Sequence, residues 1–200
     1  MADIYVENYL ADTARALESV NKQAIEKAAR ILGNLKKTRG RLFFLGVGGG
    51  AANASHAASD FRKIAGIEAY AATDNIAELT SRVNDEGWDT IFVKWLTTSR
   101  LGKEDCVFVF SVGGGSREKN ISANLVFALE HARKVKAKII GVVGRDGGYT
   151  AKVADAAIIV PTVNKDIVTA LTESFQPLIW HLLVTHPSVK SHEMKWESVK

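Results

Sequence analysis

The sequence predicts an α/β protein: a five-stranded parallel sheet in a three-layer, doubly wound, flavodoxin-like arrangement, preceded by N-terminal helices. Short apolar runs alternate along the chain with stretches of helical period, the pattern of strand–helix–strand units. The runs are apolar throughout, as in 42–45 (LFFL) and 107–110 (VFVF), which suits strands covered on both faces. A strand, a glycine-rich turn and a helix follow one another twice, over 41–63 and again from 107, and in a parallel sheet the two turns would lie side by side. With 200 residues and no low-complexity linker, one domain over 1–200 is expected: helices in 1–38, an α/β core over 39–186 and a polar tail over 187–200.

Taken in order, Val6, Tyr9, Leu10, Thr13 and Leu17 recur at helical spacing, and Asn21 is a good cap for a second helix with Ala24, Ala28, Ile31 and Leu35 on one face. Two helices ahead of the first strand are more than the sheet needs on that side, so the first is available for a subunit contact or for plain packing. The first strand ends at Gly46. Gly48, Gly49 and Gly50 turn the chain, and the helix from Ala51 points its free N–H groups back into that turn, where an anion would sit. A second strand is expected over 67–72, a helix capped by Asp74 and Asn75 through Val83, and a break at Asn84-Asp85-Glu86-Gly87. Trp88, Ile91, Phe92 and Trp95 resume the helical period up to Gly102, a spacing of core or subunit interface. The third strand, 107–110, leads into Ser111-Val112-Gly113-Gly114-Gly115-Ser116 and a helix burying Leu125, Phe127, Leu129 and Ala132. Strands over 139–143 and 156–160 flank the turn 144–148, and Pro161 stops the last of them. A final helix spans 170–185. Its Pro177 cannot donate to the carbonyl of Glu173, so the helix either begins near Ser174 or kinks there.

Composition excludes several functions. The net charge is +4, but lysines and arginines are scattered rather than striped along one element, which favours small anionic ligands over nucleic acid. The single cysteine, Cys106, lies in an apolar run and reads as core, so no internal disulfide forms and a reducing cytoplasm is the expected location. No apolar segment approaches 18 residues, and Asp3, Glu7, Asp12 and Glu18 argue against a signal peptide, so no membrane is expected. Gly46-Val47-Gly48 is not the complete dinucleotide fingerprint, and no nucleotide cofactor is expected.

Two constellations can carry chemistry. His56 and Asp60 stand four apart on one helix face, and Glu173 and His181 eight apart, about two turns, on the last helix. If the helices face each other, these four make a tetrahedral divalent site, zinc before other metals; the competing reading is a surface His56–Asp60 pair and a half-buried His181 beside Trp180. His131, His186 and His192 read as solvated. Around the second turn, the hydroxyls of Ser111 and Ser116, the close backbone of Gly113, Gly114 and Gly115, and the cations Arg117 and Lys119 form an anion cradle at a helix N-terminus; otherwise Ser116 is simply an N-cap.

These residues resemble the phosphoheptose isomerases of the sugar-isomerase (SIS) group. The matching blocks are GVGGGAANASHAASDF, TDN with the later NDEGWDTIF, SVGGGS, VVGRDGGYTAKVADAAIIVP and TESFQPLIWHLL, running from the first helix to His186. The resemblance implies the SIS fold, interconversion of D-sedoheptulose 7-phosphate and D-glycero-D-manno-heptose 7-phosphate, a homotetramer formed through the helices, and zinc where subunits meet. It also implies substrate contacts at Gly48, Gly49, Gly50, Asn53, Asn84, Asp85, Ser111, Gly113, Gly114, Gly115 and Ser116. His56 matches a metal-ligand histidine and His181 the acid–base histidine. Asp60 stands where the family has its catalytic, metal-binding glutamate and Glu173 where it has glutamine, while Val47 and Gly50 replace an asparagine and a serine. The expected catalytic pair is Asp60 and His181, with His56, Asp60, Glu173 and His181 as metal ligands. The alternative is a non-catalytic SIS module that binds a sugar phosphate or a protein partner.

Overall fold

The computed structural model describes residues 2–199. Helices α1 (Ala2–Ser19) and α2 (Lys22–Thr38) precede β1 (Leu42–Gly46), α3 (Gly49–Asp60), a π-helical turn (Phe61–Ala65) and β2 (Ala69–Ala71). Then come α4 (Ile76–Glu86), a 3-10 turn (Trp88–Thr90), α5 (Ile91–Thr98), β3 (Cys106–Ser111), α6 (Ala123–Lys134), β4 (Lys138–Val143), α7 (Gly148–Val153) and β5 (Ala156–Ile159). A second 3-10 turn (Lys165–Ile167) opens α8 (Val168–Thr185), and a short α9 (Lys195–Ser198) closes the described chain.

The sheet has the order β2-β1-β3-β4-β5 and every neighbouring pair is parallel, the flavodoxin-like topology. Alternate residues of the strands point to two cores. Phe44, Phe108, Phe110, Ile140 and Ile158 meet α2, α3 and α8; Phe43, Leu45, Val107, Val109 and Ile139 meet α5 and α6. In the central strands β1 and β3 these side chains leave no face for solvent, which is why those runs read as continuous apolar sequence. Cys106 is buried in the first core, and burial pushes its thiol pKa up, so it stays an unreactive thiol.

Several boundaries differ from expectation for identifiable reasons. β2 pairs over three residues only. Helix α4 continues through Asn84 and Asp85 to Glu86, because the break comes from Gly87, which adopts φ +83°. The helix after the second glycine turn begins at Ala123 rather than at Ser116. Residues 116–121 instead close a small loop through reciprocal Ser116–Ile121 backbone bonds, so Ser116 is no helix cap and Arg117 and Lys119 do not stand at a helix N-terminus. Phe127 is 38% exposed, not core. The short helix α7 was not legible as one. The stretch from Pro187, which reads as polar tail, is anchored: Val189 is fully buried, and Lys36 Nζ donates to the carbonyls of Val189 and Lys190.

Helix α8 runs unbroken through Pro177. The carbonyl of Glu173, which lost its intrahelical donor to the proline, accepts from Asn53 Nδ2 at 3.1 Å instead. The span Lys165–Thr185 is long and apolar enough to cross a membrane by length and composition. In the structure Leu171, Phe175, Ile179, Trp180, Leu183 and Val184 are buried in the sheet's core, which accounts for that apolarity.

Candidate active site

The strand order reverses between β1 and β3, and the glycine turns that follow these two strands meet there, at the carboxyl edge where doubly wound sheets bind ligands. Between them lies a cavity of about 180 Å³ lined by Val47 and Gly50 of the first turn, Ser111 and Gly113 of the second, and Glu173 and Gln176 of α8. Ser111 Oγ accepts from the Gly114 N–H at 3.0 Å, which folds the second turn over the cavity. Among the described residues, the N–H groups of Val112 and Gly113 have no hydrogen-bond partner. Unpaired N–H groups of this kind suit an anion.

The second turn is held from behind. Gly114 adopts φ +69°, its carbonyl accepts from Thr150 N and Thr150 Oγ1, and a Cβ there would strike the carbonyl of Gly147. Glycine at this position is therefore a packing requirement first. Gly50 is constrained in the same way by the carbonyl of Phe110, so the missing side chain brings α3 close to β3.

Below this cavity, α3 and α8 run side by side, and their facing side chains build a second feature. His181 Nε2 stands 3.2 Å and His56 Nε2 3.5 Å from the same oxygen, Asp60 Oδ2. The three ligand atoms lie within 4.8 Å of one another. Two ligands of a tetrahedral ion at ~2.0–2.1 Å stand roughly 3.3 Å apart, so these separations suit a shared divalent cation. Trp180 Nε1 already donates to Asp60 Oδ2 at 3.1 Å, leaving one lone pair for two imidazoles. With both Nε2 atoms unprotonated, three electron-rich atoms converge, an arrangement that a cation relieves. The carboxylate is the most enclosed member, its side chain 16% exposed against 59% for His56 and 46% for His181.

Glu173 stands apart from this trio. Eight residues of helix put it roughly 12 Å from His181 along the axis, and its carboxylate lies over Gly49 at the mouth of the glycine-turn cavity. The expected four-ligand set is thus three ligands in one place, with Glu173 facing the other cavity. Asn53 is drawn in through its amide, which donates to Glu173 O and to Gln176 Oε1 at 2.7 Å. Gln176 is fully buried and its Nε2 has no partner among the described residues. Asn84 and Asp85 bond each other on the exposed last turn of α4 and do not line the cavity. Arg117 is paired with Glu130 at 2.9 Å, and Ser116 Oγ accepts from the N–H of Lys119. His131 is half-buried, its pKa lowered by burial. His186 faces Glu26 and Ser188 away from the trio. Sequence reasoning missed Gln176 and the contact of Trp180. The unpaired carbonyl opposite Pro177 was the one available signal, since it required a donor from a neighbouring helix.

A sugar-isomerase profile, the SIS domain, matches residues 6–144 of this chain. The chain belongs to the SIS-domain family. It is 32% identical to the phosphoheptose isomerase of Leptospira biflexa serovar Patoc over 80% of each protein. It is 30% identical to the lincomycin biosynthesis protein LmbN of Streptomyces lincolnensis over 89% of this chain, which spans 66% of that longer protein. The structure of phosphoheptose isomerase GmhA from Neisseria gonorrhoeae superposes with a TM-score of 0.78 and 25% identity, covering 92% of this chain and 98% of that one. Within the SIS-domain family the chain is a phosphoheptose isomerase homologue.

Proposed function

We propose that this protein is an aldose–ketose isomerase that interconverts D-sedoheptulose 7-phosphate and D-glycero-D-manno-heptose 7-phosphate. The observation that carries the reading is the pairing, on α3 and α8, of an anion-ready cavity at the glycine turns with an Asp–His–His cluster about two helical turns further along the same helices. An extended seven-carbon sugar phosphate matches that layout. Its phosphate meets the N–H groups and hydroxyls of the 111–116 turn, and its carbonyl end reaches toward Asp60 and His181.

The reaction moves one proton between adjacent carbons through an enediol, so it requires a base at carbon and an acid at the carbonyl oxygen. Asp60 Oδ2 is occupied by Trp180 and the imidazoles, whereas Oδ1 has no partner among the described residues, and we assign the carbon-bound proton to Oδ1. His181 then serves the oxygen through its Nδ1–H, since its Nε2 is turned to Asp60 Oδ2 and the ion position. A divalent ion such as zinc, held by His56, Asp60 and His181, supplies carbonyl polarisation when bound. Gln176 Nε2, which has no partner among the described residues, and the Glu173 carboxylate, both lining the cavity, are assigned to the hydroxyls along the sugar chain. Incubating the purified protein with sedoheptulose 7-phosphate and following the anomeric protons by NMR tests the proposal. Appearance of the aldose is expected, and an unchanged ketose spectrum contradicts it.

We further propose a homotetramer. Ile4, Tyr5, Val6, Leu10 and Leu17 leave α1 with a broad exposed apolar face, and α4 buries no residue within the single chain.

A further inference from the structure

Trp180 is 1% exposed and makes no contact that the isomerisation itself requires, yet it touches every member of the catalytic trio. Its ring packs on Phe110 (centroids 5.6 Å apart), on His181 (5.1 Å) and edge-on against His56 (5.2 Å), and its indole N–H points at Asp60 Oδ2. Asp60 is the last residue of α3, at the junction where the chain widens into the π-helical turn Phe61–Ala65. A short carboxylate at such a junction has two torsions to settle and two equivalent oxygens to offer.

We propose that Trp180 is a positioning residue that makes those two oxygens inequivalent: its N–H ties Oδ2 toward the imidazoles and leaves Oδ1 turned out as the reactive oxygen. An indole N–H suits this task for three reasons. It only donates, so the bond keeps the same sense in every state of the site. It carries no charge, so unlike lysine or arginine it neither repels a cation at the trio nor neutralises the carboxylate. It is also carried on a ring wedged between Phe110 and the two imidazoles, so it cannot swing away. The bond thus does for Asp60 what carboxylates and carbonyls do for the histidines of metal sites.

This inference rests on the proposed role of the trio, and Trp180→Phe tests it by removing the N–H while keeping an aromatic ring. Outer-shell partners of metal ligands typically contribute about 10–100-fold to affinity or activity. Trp180→Phe is therefore expected to weaken cobalt(II) binding, followed by visible absorption, by about 10–100-fold. It is expected to lower kcat by a similar factor while KM for the sugar phosphate stays within about twofold, since the anion turn is untouched. A purely structural role would instead lower the melting temperature and raise KM along with the loss of kcat. In the parent, the Trp180 indole N–H resonance is expected to exchange slowly with solvent and to shift on cobalt or zinc addition; this reading needs no variant to fold. Cobalt affinity, kcat and KM equal to the parent's in Trp180→Phe, or an indole N–H indifferent to metal, overturns the role of Trp180. A parent that neither binds cobalt nor isomerises overturns the reading of the trio itself, and this inference with it.

Discussion

Asp60 and His181 concentrate the chemistry, because the proton next to a carbonyl is not released readily in water and a positioned acid or base contributes about 10²–10⁴-fold. Asp60→Asn keeps an oxygen for the Trp180 N–H to bond but removes the base. Turnover is expected to fall by about 10²–10⁴-fold with phosphate-ligand affinity retained; His181→Ala should behave alike, and steady-state kinetics beside a titration with inorganic phosphate separates the two effects. Wild-type turnover in Asp60→Asn would remove Asp60 from the mechanism. Near the turn, the glycines have different reasons for being glycine. Gly48 has open space where a Cβ would point, at φ +60°, whereas Gly114 is closed off by Gly147, so Gly114→Val is expected to lower the melting temperature first and binding as a consequence. A sequence shows both as equivalent members of a glycine run. Only the packing tells them apart.

Among the elements, α3 and α8 hold the site as a pair, and Asn53 joins them at the one place where Pro177 leaves a carbonyl without its helical donor. Leaving a buried acceptor such as Gln176 Oε1 without its donor costs about 1–3 kcal/mol, so Asn53→Leu is expected to lower unfolding stability by that order in a denaturant titration, and an unchanged midpoint would contradict the linkage. Helix α1 is tied down by Asp12, 5% exposed, whose carboxylate accepts from Asn164 Nδ2 at 2.7 Å and from Arg15. The Asn164 bond first, and Arg15 next, hold its pKa below the ordinary carboxylate value. A depressed folded-state pKa stabilises above the unfolded value, near ~3.9, and the contribution is lost as pH falls through the folded value. Docking of α1 is thus expected to weaken below about pH 4 and less so in Asp12→Asn, as read by hydrogen exchange of α1. The elements were largely legible because strands covered on both faces must be apolar throughout, and glycine turns punctuate them. The beginning of α6 was not, since Ser116 has the chemistry of a cap but closes a local loop with Ile121. Glu173 could be placed on the right helix from sequence, but not at the right height, because eight residues of helix separate two sites rather than completing one.

At the scale of the molecule, the single chain leaves two surfaces unexplained by its own cores: the apolar face of α1 and the exposed side of α4 with Ile76 and Val83. The proposed tetramer covers them. Light scattering on the purified protein is expected to give a four-chain mass, and Leu10→Arg on the exposed face of α1 to give smaller species with helical content kept; a monomeric parent would contradict the assembly. The central claim, however, is the reaction, and one measurement addresses it directly: sedoheptulose 7-phosphate incubated with the enzyme in deuterated water and followed by NMR. Transfer through an enediol exposes the abstracted proton to solvent on a protein carboxylate, so the account expects the aldose to appear with deuterium at C2. Recovery of unlabelled ketose alone, with no aldose and no exchange, would contradict it and leave the chain a sugar-phosphate-binding module.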